Sequence, residues 1–230
     1  MATTQILTSL MRKLPITLWF VVVAWVTGLG LSILVTVGRL SNVRWLKGLL
    51  NIYVSFIRSI PMILQLFLIY YGLPQLLKAL GINIDSSSRF AYSVLAFTLY
   101  YGAYLSEDLR AAYQAVNPTQ RDAAKALGYD RWQTETRVII PQTLPIVLPV
   151  LGNEILNLLH QSSLLFTIGM VDIMGQAQEL INQNYTVAPV LVYFIAGLVY
   201  LVISLLFAWL QTRLEKRTGV YLVKRGVSVE

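Results

Sequence analysis

Residues 187–210 read VAPVLVYFIAGLVYLVISLLFAWL, a stretch without one charged side chain. As an α-helix rising about 1.5 Å per residue it is about 36 Å long, enough for the roughly 30 Å hydrocarbon core of a bilayer. A soluble helix keeps a polar face, and this one has none. Lipid is the solvent it suits.

Four more stretches share this character. The first covers about 14–38 and the second about 50–73, where Arg58 and Pro61 interrupt the first half. The third, about 90–106, is rich in aromatics, and the fourth, about 143–165, is the most polar. The expectation is an all-α polytopic membrane protein of about five transmembrane helices, forming a single transmembrane domain over 1–230. Composition agrees: 56% of residues are hydrophobic and 13% charged, against about 25% charged in soluble domains. The absence of cysteine excludes disulfides and thiolate metal sites, and one histidine, His160, cannot form a zinc cluster. A net charge of +7 suits nucleic acid in principle, but the cations lie between apolar stretches and at the tail, which excludes that partner. The run after Arg12 and Lys13 exceeds the roughly 7–15 residues of a signal-peptide core and lacks a small-residue cleavage site, so it reads as a retained first helix.

Lys and Arg set the orientation. Three clusters fall on one side: Arg39, Arg44 and Lys47; Arg110, Arg121, Lys125, Arg131 and Arg137; Arg213, Lys216, Arg217, Lys224 and Arg225. The other side has only Arg12, Lys13, Lys78 and Arg89. The N-terminus is expected outside and the C-terminus in the cytoplasm.

One extramembrane segment, about 107–142 and cytoplasmic, is long enough to hold structure. Asn117 can cap a helix, Pro118 suits its first turn, Gln120 stands where a capping-box partner belongs, and Gly128 suits a left-handed end. A second piece starts at Asp130, with Gln133 three residues on, and is expected to stop at Pro141. The first helix is too short to be stable alone. Ala123, Ala124 and Leu127 form its candidate docking face. A partner protein, lipid headgroups or the chain itself could cover that face, and the residues alone leave these open.

Polar side chains recur inside the fourth span. Asn153, Asn157, His160 and Gln161 fall within one arc, with Glu154 at its edge. A charge at the bilayer centre costs about 2.5–3.5 kcal/mol on insertion scales, so Glu154 is expected to face protein or water. The stripe suits either a pathway for a zwitterion or hydrogen-bonded contact between helices. Arg58, three residues before Pro61, is either part of a gate that receives a carboxylate or a cation reaching headgroups. Asp172, between Gly169 and Gly175, is a candidate for docking an external protein.

Asp122-Ala123-Ala124, then Gly128, then Val138, Ile140 and Pro141 resemble the cytoplasmic signature of permease subunits of bacterial ABC importers. That signature is Glu-Ala-Ala, three residues, Gly, nine residues, Ile, one residue, Leu-Pro; the spacing matches throughout, with mild changes at 122, 138 and 140. Arg58-Ser59-Ile60-Pro61 with Gln65, Leu66 and Tyr70-Tyr71-Gly72 is similar to the polar amino-acid uptake group. So is Ser162-Ser163-Leu164-Leu165 before Ile168-Gly169, with Asn153-Glu154 upstream. The likeness spans roughly 15–217; His160 departs from the group's usual lysine. It implies a coupling helix seated in an ATP-binding cassette ATPase subunit, with Asp122, Ala123, Ala124, Gly128 and Pro141 as the coupling residues. It also implies a second permease copy or paralogue, an extracellular or periplasmic solute-binding protein, and a polar amino acid moved by alternating access across the bacterial cytoplasmic membrane. Arg58, Pro61, Asn153, Glu154, Asn157, His160, Gln161 and Ser163 are the candidate substrate-pathway residues. No Walker-type phosphate loop occurs, so no cofactor is expected in this chain, and ATP and Mg are expected on the ATPase. Two alternatives are an ion-gradient-driven transporter or channel, and an intramembrane hydrolase using Ser162 or Ser163 with His160.

Overall fold

The structure is a computed structural model that describes residues 3–82, 88–183 and 188–224, with side chains described as far as 213. The predicted start of the fifth span at 187 and the tail cation Arg225 lie outside these residues. Every regular element described is helical.

Among the described residues, four helical stretches are long and apolar enough to cross a membrane: Thr3–Leu40, Met62–Ala79, Arg131–Ile168 and Pro189–Arg213. The first comprises a short helix α1 (Thr3–Met11) and α2 (Leu14–Leu40). A fifth long helix, α6 (Arg89–Ala115), falls short on apolarity rather than length, because it is the protein-covered centre of the bundle. Tyr101, Phe97, Ala96, Ala103 and Leu105 on it are fully buried. The polar fourth stretch does qualify, so the expected span that falls short on apolarity is the third.

Helices α2 and α6 run parallel in close contact. Phe20 meets Phe97 edge to face at 4.9 Å, Thr27 Oγ1 lies 2.6 Å from Thr98 Oγ1, and Thr36 Oγ1 donates to the Ser106 carbonyl at 3.1 Å. Gly102 permits the approach: a Cβ there would stand 2.6 Å from Leu31 Cδ2. Small residues and hydroxyls at such contacts replace the hydrophobic drive that lipid cannot supply.

The predicted second span, 50–73, is corrected by the structure. Pro61 disfavours helical backbone at the residue before it, and Ile60 is extended at φ −110°, ψ 132°. The chain divides there into α3 (Arg44–Ser59) and a second helical run, composed of α4 (Met62–Phe67), a π-turn (Leu68–Gly72) and α5 (Leu73–Ala79). Of the two, only the second run is long and apolar enough to cross. Helix α3 has three faces. Leu50, Val54 and Ile57 pack inward, Trp45, Leu49, Ile52 and Phe56 are exposed and apolar, and Arg44, Lys47, Asn51, Ser55 and Arg58 form a polar stripe. Arg58 therefore ends an amphipathic helix and is not inside a span.

The remaining crossings are antiparallel. Helix α9 (Ile140–Gln161) lies against α11 (Pro189–Lys224), with Gln211 Nε2 donating to the Pro149 carbonyl at 3.1 Å and His160 beside Ser204. Exposed apolar side chains along α2 and α11, such as Val26, Leu34, Phe194, Leu201 and Leu205, suit lipid. Outside the bundle, α1 places Ile6 and Leu10 in a second small core with Ala177 and Leu180 of α10 (Ile173–Gln183) and Val192, Ile195 and Ala196 of α11.

Candidate functional site: the interhelical loop and the polar helix faces

After α6 the chain turns through Asn117, whose Oδ1 accepts from the Thr119 N–H at 3.0 Å and from Thr119 Oγ1 at 2.8 Å. This starts α7 (Thr119–Ala126). Gln120 does not close a capping box; its Oε1 accepts from Gln142 Nε2 at 3.5 Å, tying α7 to the start of α9. Gly128 ends the helix at φ +81°. The Gly128 N–H bonds to the Lys125 carbonyl at 2.9 Å and the Tyr129 N–H to the Ala124 carbonyl at 3.0 Å. These two bonds satisfy the carbonyls that a helix end leaves open.

The capping box forms at the next helix, α8 (Arg131–Thr134). Asp130 Oδ1 accepts from the Gln133 N–H at 2.8 Å, and Gln133 Oε1 accepts from the Asp130 N–H at 3.2 Å. The expected stop at Pro141 does not occur. A π-turn over Glu135–Ile139 bonds the Ile140 N–H to the Glu135 carbonyl, five residues back, and the helix runs on into α9. Proline in a helix removes one donor and crowds the carbonyl four residues earlier; the wider π-turn accommodates both. Arg131 to Ile168 is one helical stretch of 38 residues, about 57 Å long and far more than the bilayer core.

The exposed face of the loop is not the one expected to dock. Ala124 is 2% exposed and turned into the chain, whereas Ala123 and Gly128 are exposed. Leu127 and Trp132 are 77% and 76% exposed. Asp122 and Lys125 sit beside them, 3.7 Å apart. The loop thus offers two large apolar side chains with a charged rim. Trp132 gave no signal in the sequence beyond its placement between two polar neighbours.

Behind the loop, Tyr113 OH donates 3.0 Å to both Glu135 oxygens, and the Arg121 guanidinium lies over the Tyr113 ring, 4.7 Å from its centre. A second cluster, unseen in the sequence, joins α2, α3 and α6. Arg39 Nη1 donates to Glu107 at 2.7 Å, Arg39 Nε donates to Asn51 at 2.8 Å, and Arg110 also bonds Glu107.

The predicted pathway residues split into groups. Asn153 and His160 turn to α11, where Gln211 Nε2 reaches Asn153 Oδ1 at 3.5 Å and His160 Nε2 lies 2.8 Å from Ser204 Oγ. These two are helix-to-helix contacts. Glu154 and Asn157 bond each other at 3.2 Å, and Glu154 lies close enough to Asp108 of α6 to be repelled by it. Gln161 Oε1 is buried and has no hydrogen-bond partner among the described residues. Arg58 attracts the same Asp108 and lies 5.4 Å from the centre of the Tyr104 ring, which stacks on Tyr100 at 4.4 Å. Arg58, Ser55, Ser59, Tyr104, Glu107 and Arg39 line an open groove of about 480 Å³. The set holds a cation on an aromatic ring and carboxylates within electrostatic range, the two charge types that a zwitterion requires. Asp108 was missed; it follows Glu107 just past the aromatic stretch of α6.

The hydrolase alternative fails on geometry. Ser162 Oγ and Ser163 Oγ each donate 2.7 Å to a backbone carbonyl, of Leu159 and His160, while the His160 ring faces Ser204. Asp172 is not a surface docking residue either. It is fully buried, caps α10 by accepting from the Gly175 N–H at 2.8 Å, and its burial pushes the carboxyl up to about 6.

Four long apolar helical stretches, one of them continuous with an apolar-tipped loop, suit a membrane-embedded protein that offers a grip to something outside the bilayer. The chain belongs to the family described as binding-protein-dependent transport system inner membrane component, which it matches over residues 28–220. It is similar to the L-cystine transport system permease protein TcyL of Bacillus subtilis, 31% identical over 91% of this chain and 87% of that protein. It is also similar to the arginine transport system permease protein ArtQ of Bacillus subtilis, 33% identical over 90% of this chain and 91% of that one. Among solved structures, that of an amino acid ABC transporter with histidines matches at TM-score 0.80 and 31% identity, over 91% of this chain and 94% of that one. The MetNI methionine ABC transporter shares the fold at TM-score 0.66 and 17% identity, over 92% and 94% of the two chains.

Proposed function

We propose that this permease is the membrane half of an ATP-driven importer of polar amino acids. A separate ATPase subunit grips the loop, and ATP and Mg are held there rather than in this chain. A second copy or a paralogue completes the pathway, and an external solute-binding protein delivers the substrate. The N-terminus lies outside and the C-terminus in the cytoplasm. The observation that carries the reading is the exposed Leu127–Trp132 tip, built on a helix continuous with α9. A motor closing on that tip moves the pathway face of α9, and the two access states differ in affinity for nucleotide. Arg58, Pro61, Glu154, Asn157 and Gln161 are the residues assigned to the pathway. Relatives named for cystine and arginine transport support the substrate class.

Reconstitution of the chain with its neighbouring ATPase and binding protein tests this. Amino-acid-loaded binding protein should stimulate ATP hydrolysis, and Gly128→Asp should leave the permease inserted while uncoupling hydrolysis from uptake. Normal uptake in that variant would refute the docking role.

A further inference from the structure

The loop's inner side holds a feature its tip does not explain. Tyr113 on α6, Arg121 on α7 and Glu135 at the first position of the π-turn meet at one point, so three elements converge on one carboxylate. The Tyr113 hydroxyl already reaches both carboxylate oxygens. The arginine does not: Arg121 Nε is 3.7 Å from Glu135 Oε1, about 1 Å beyond a charge-assisted hydrogen bond. Arg121 Nη2 is shielded from solvent and makes no hydrogen bond of ordinary geometry among the described residues. A shielded guanidinium N–H without a partner is costly to keep, and the acceptor that can relieve it is next to it. The arrangement is one arm of a two-position contact.

We propose that Glu135 is a positioning residue that latches the docking helix to α9, closing a bidentate pair with Arg121 when the ATPase presses on α7. This rests on the loop being the ATPase-docking element. In the open position Arg121 rests on the Tyr113 ring and reaches Glu135 only as a loose ion pair at 3.7 Å, while the Tyr113 hydroxyl makes the hydrogen bonds to the carboxylate. In the closed position a sub-helical shift of α7 brings both guanidinium N–H groups onto the carboxylate. The π-turn places the carboxylate at the joint, so the shift is passed directly to the long helix. Such segments occur often at functional positions in helices.

The test uses the full importer in proteoliposomes, measuring ATP hydrolysis, uptake and co-purification of the ATPase. Glu135→Gln keeps an acceptor for Tyr113 but removes the charge. It should co-purify normally and hydrolyse ATP, while uptake per ATP falls about tenfold, the scale of an ordinary coupling energy. Arg121→Glu should behave alike, and the exchange Arg121→Glu with Glu135→Arg should recover most of the ratio. Tyr113→Phe, which leaves the ion pair possible, should lower it by less than about threefold. An unchanged ratio in Glu135→Gln, loss of ATPase association in that variant, or an exchange no better than the single changes would overturn the latch. Failure of the wild-type ATPase to co-purify would instead refute the docking reading beneath it.

Discussion

Pro61 and Pro141 interrupt helical stretches of similar apolarity with opposite results. At Pro61 the preceding residue leaves the helix, the chain turns a corner, and α3 and α4 become separate bodies. At Pro141 the backbone widens by one residue per turn over Glu135–Ile139 and the helix continues. The difference lies in what surrounds them. Around Pro61, Tyr53 OH donates 2.6 Å to the Leu99 carbonyl and Arg39 holds Asn51, so α3 is fixed in a direction that α4 does not share. Around Pro141, Ile139 and Thr143 are buried on one line, and continuing straight keeps both covered. One proline makes a joint, the other leaves a lever.

That contrast breaks if flexibility in the lever is harmless. Thr136→Gly with Arg137→Gly adds two glycines, each costing roughly 1 kcal/mol of helix preference. Uptake per ATP should fall at least about tenfold in proteoliposomes, with the ATPase still bound. Ile60→Gly, at a residue already extended, should change the same ratio by less than about twofold. Equal losses at the two positions would erase the distinction. Pro61→Ala sharpens it from the other side. Restoring a donor lets the helix run through the corner and pulls α3 off α6, so uptake should drop about fivefold.

The crossings were readable because each needs a long apolar run that soluble structure does not tolerate. The interruption at Pro61 was readable too, but that it divides two helices, of which only the second is long and apolar enough to cross, was not. The exposed Trp45, Leu49, Ile52 and Phe56 look like span residues until their helical register with Lys47, Asn51 and Arg58 is drawn. The loop's helices were announced by Asn117, Gly128 and Asp130–Gln133, all local signals. What the residues left open, or did not signal, depended on distant partners. Ala124 faces inward because the body of the protein lies on that side, Asn153 and His160 are claimed by α11, and Glu107 gathers arginines from two helices.

Packing predicts smaller effects. Gly102→Val would force Leu31 away, an overpacking of about 1–3 kcal/mol. The Tm in detergent should fall by roughly 5 °C. Gly48→Ala, with open space around the position, should hold or raise Tm.

The last effect is one of pH, at Asp172. Burial holds its carboxyl up at about 6 against an ordinary 3.8, despite the Gly175 N–H and the Tyr200 hydroxyl, which favour the charged form. A raised carboxylate pKa means that the folded protein grips the proton more tightly than the unfolded chain does. The resulting stability is complete below about pH 3.8 and is lost as pH rises through about 6. Asn caps a helix about as well as Asp and cannot titrate. Wild type should therefore lose a few degrees of Tm between pH 4 and 7 that Asp172→Asn keeps, with the two converging at acid pH. A wild-type Tm that instead rises across this window to meet a flat variant would mean that the charged carboxylate, gripped by its donors, is the form the fold prefers.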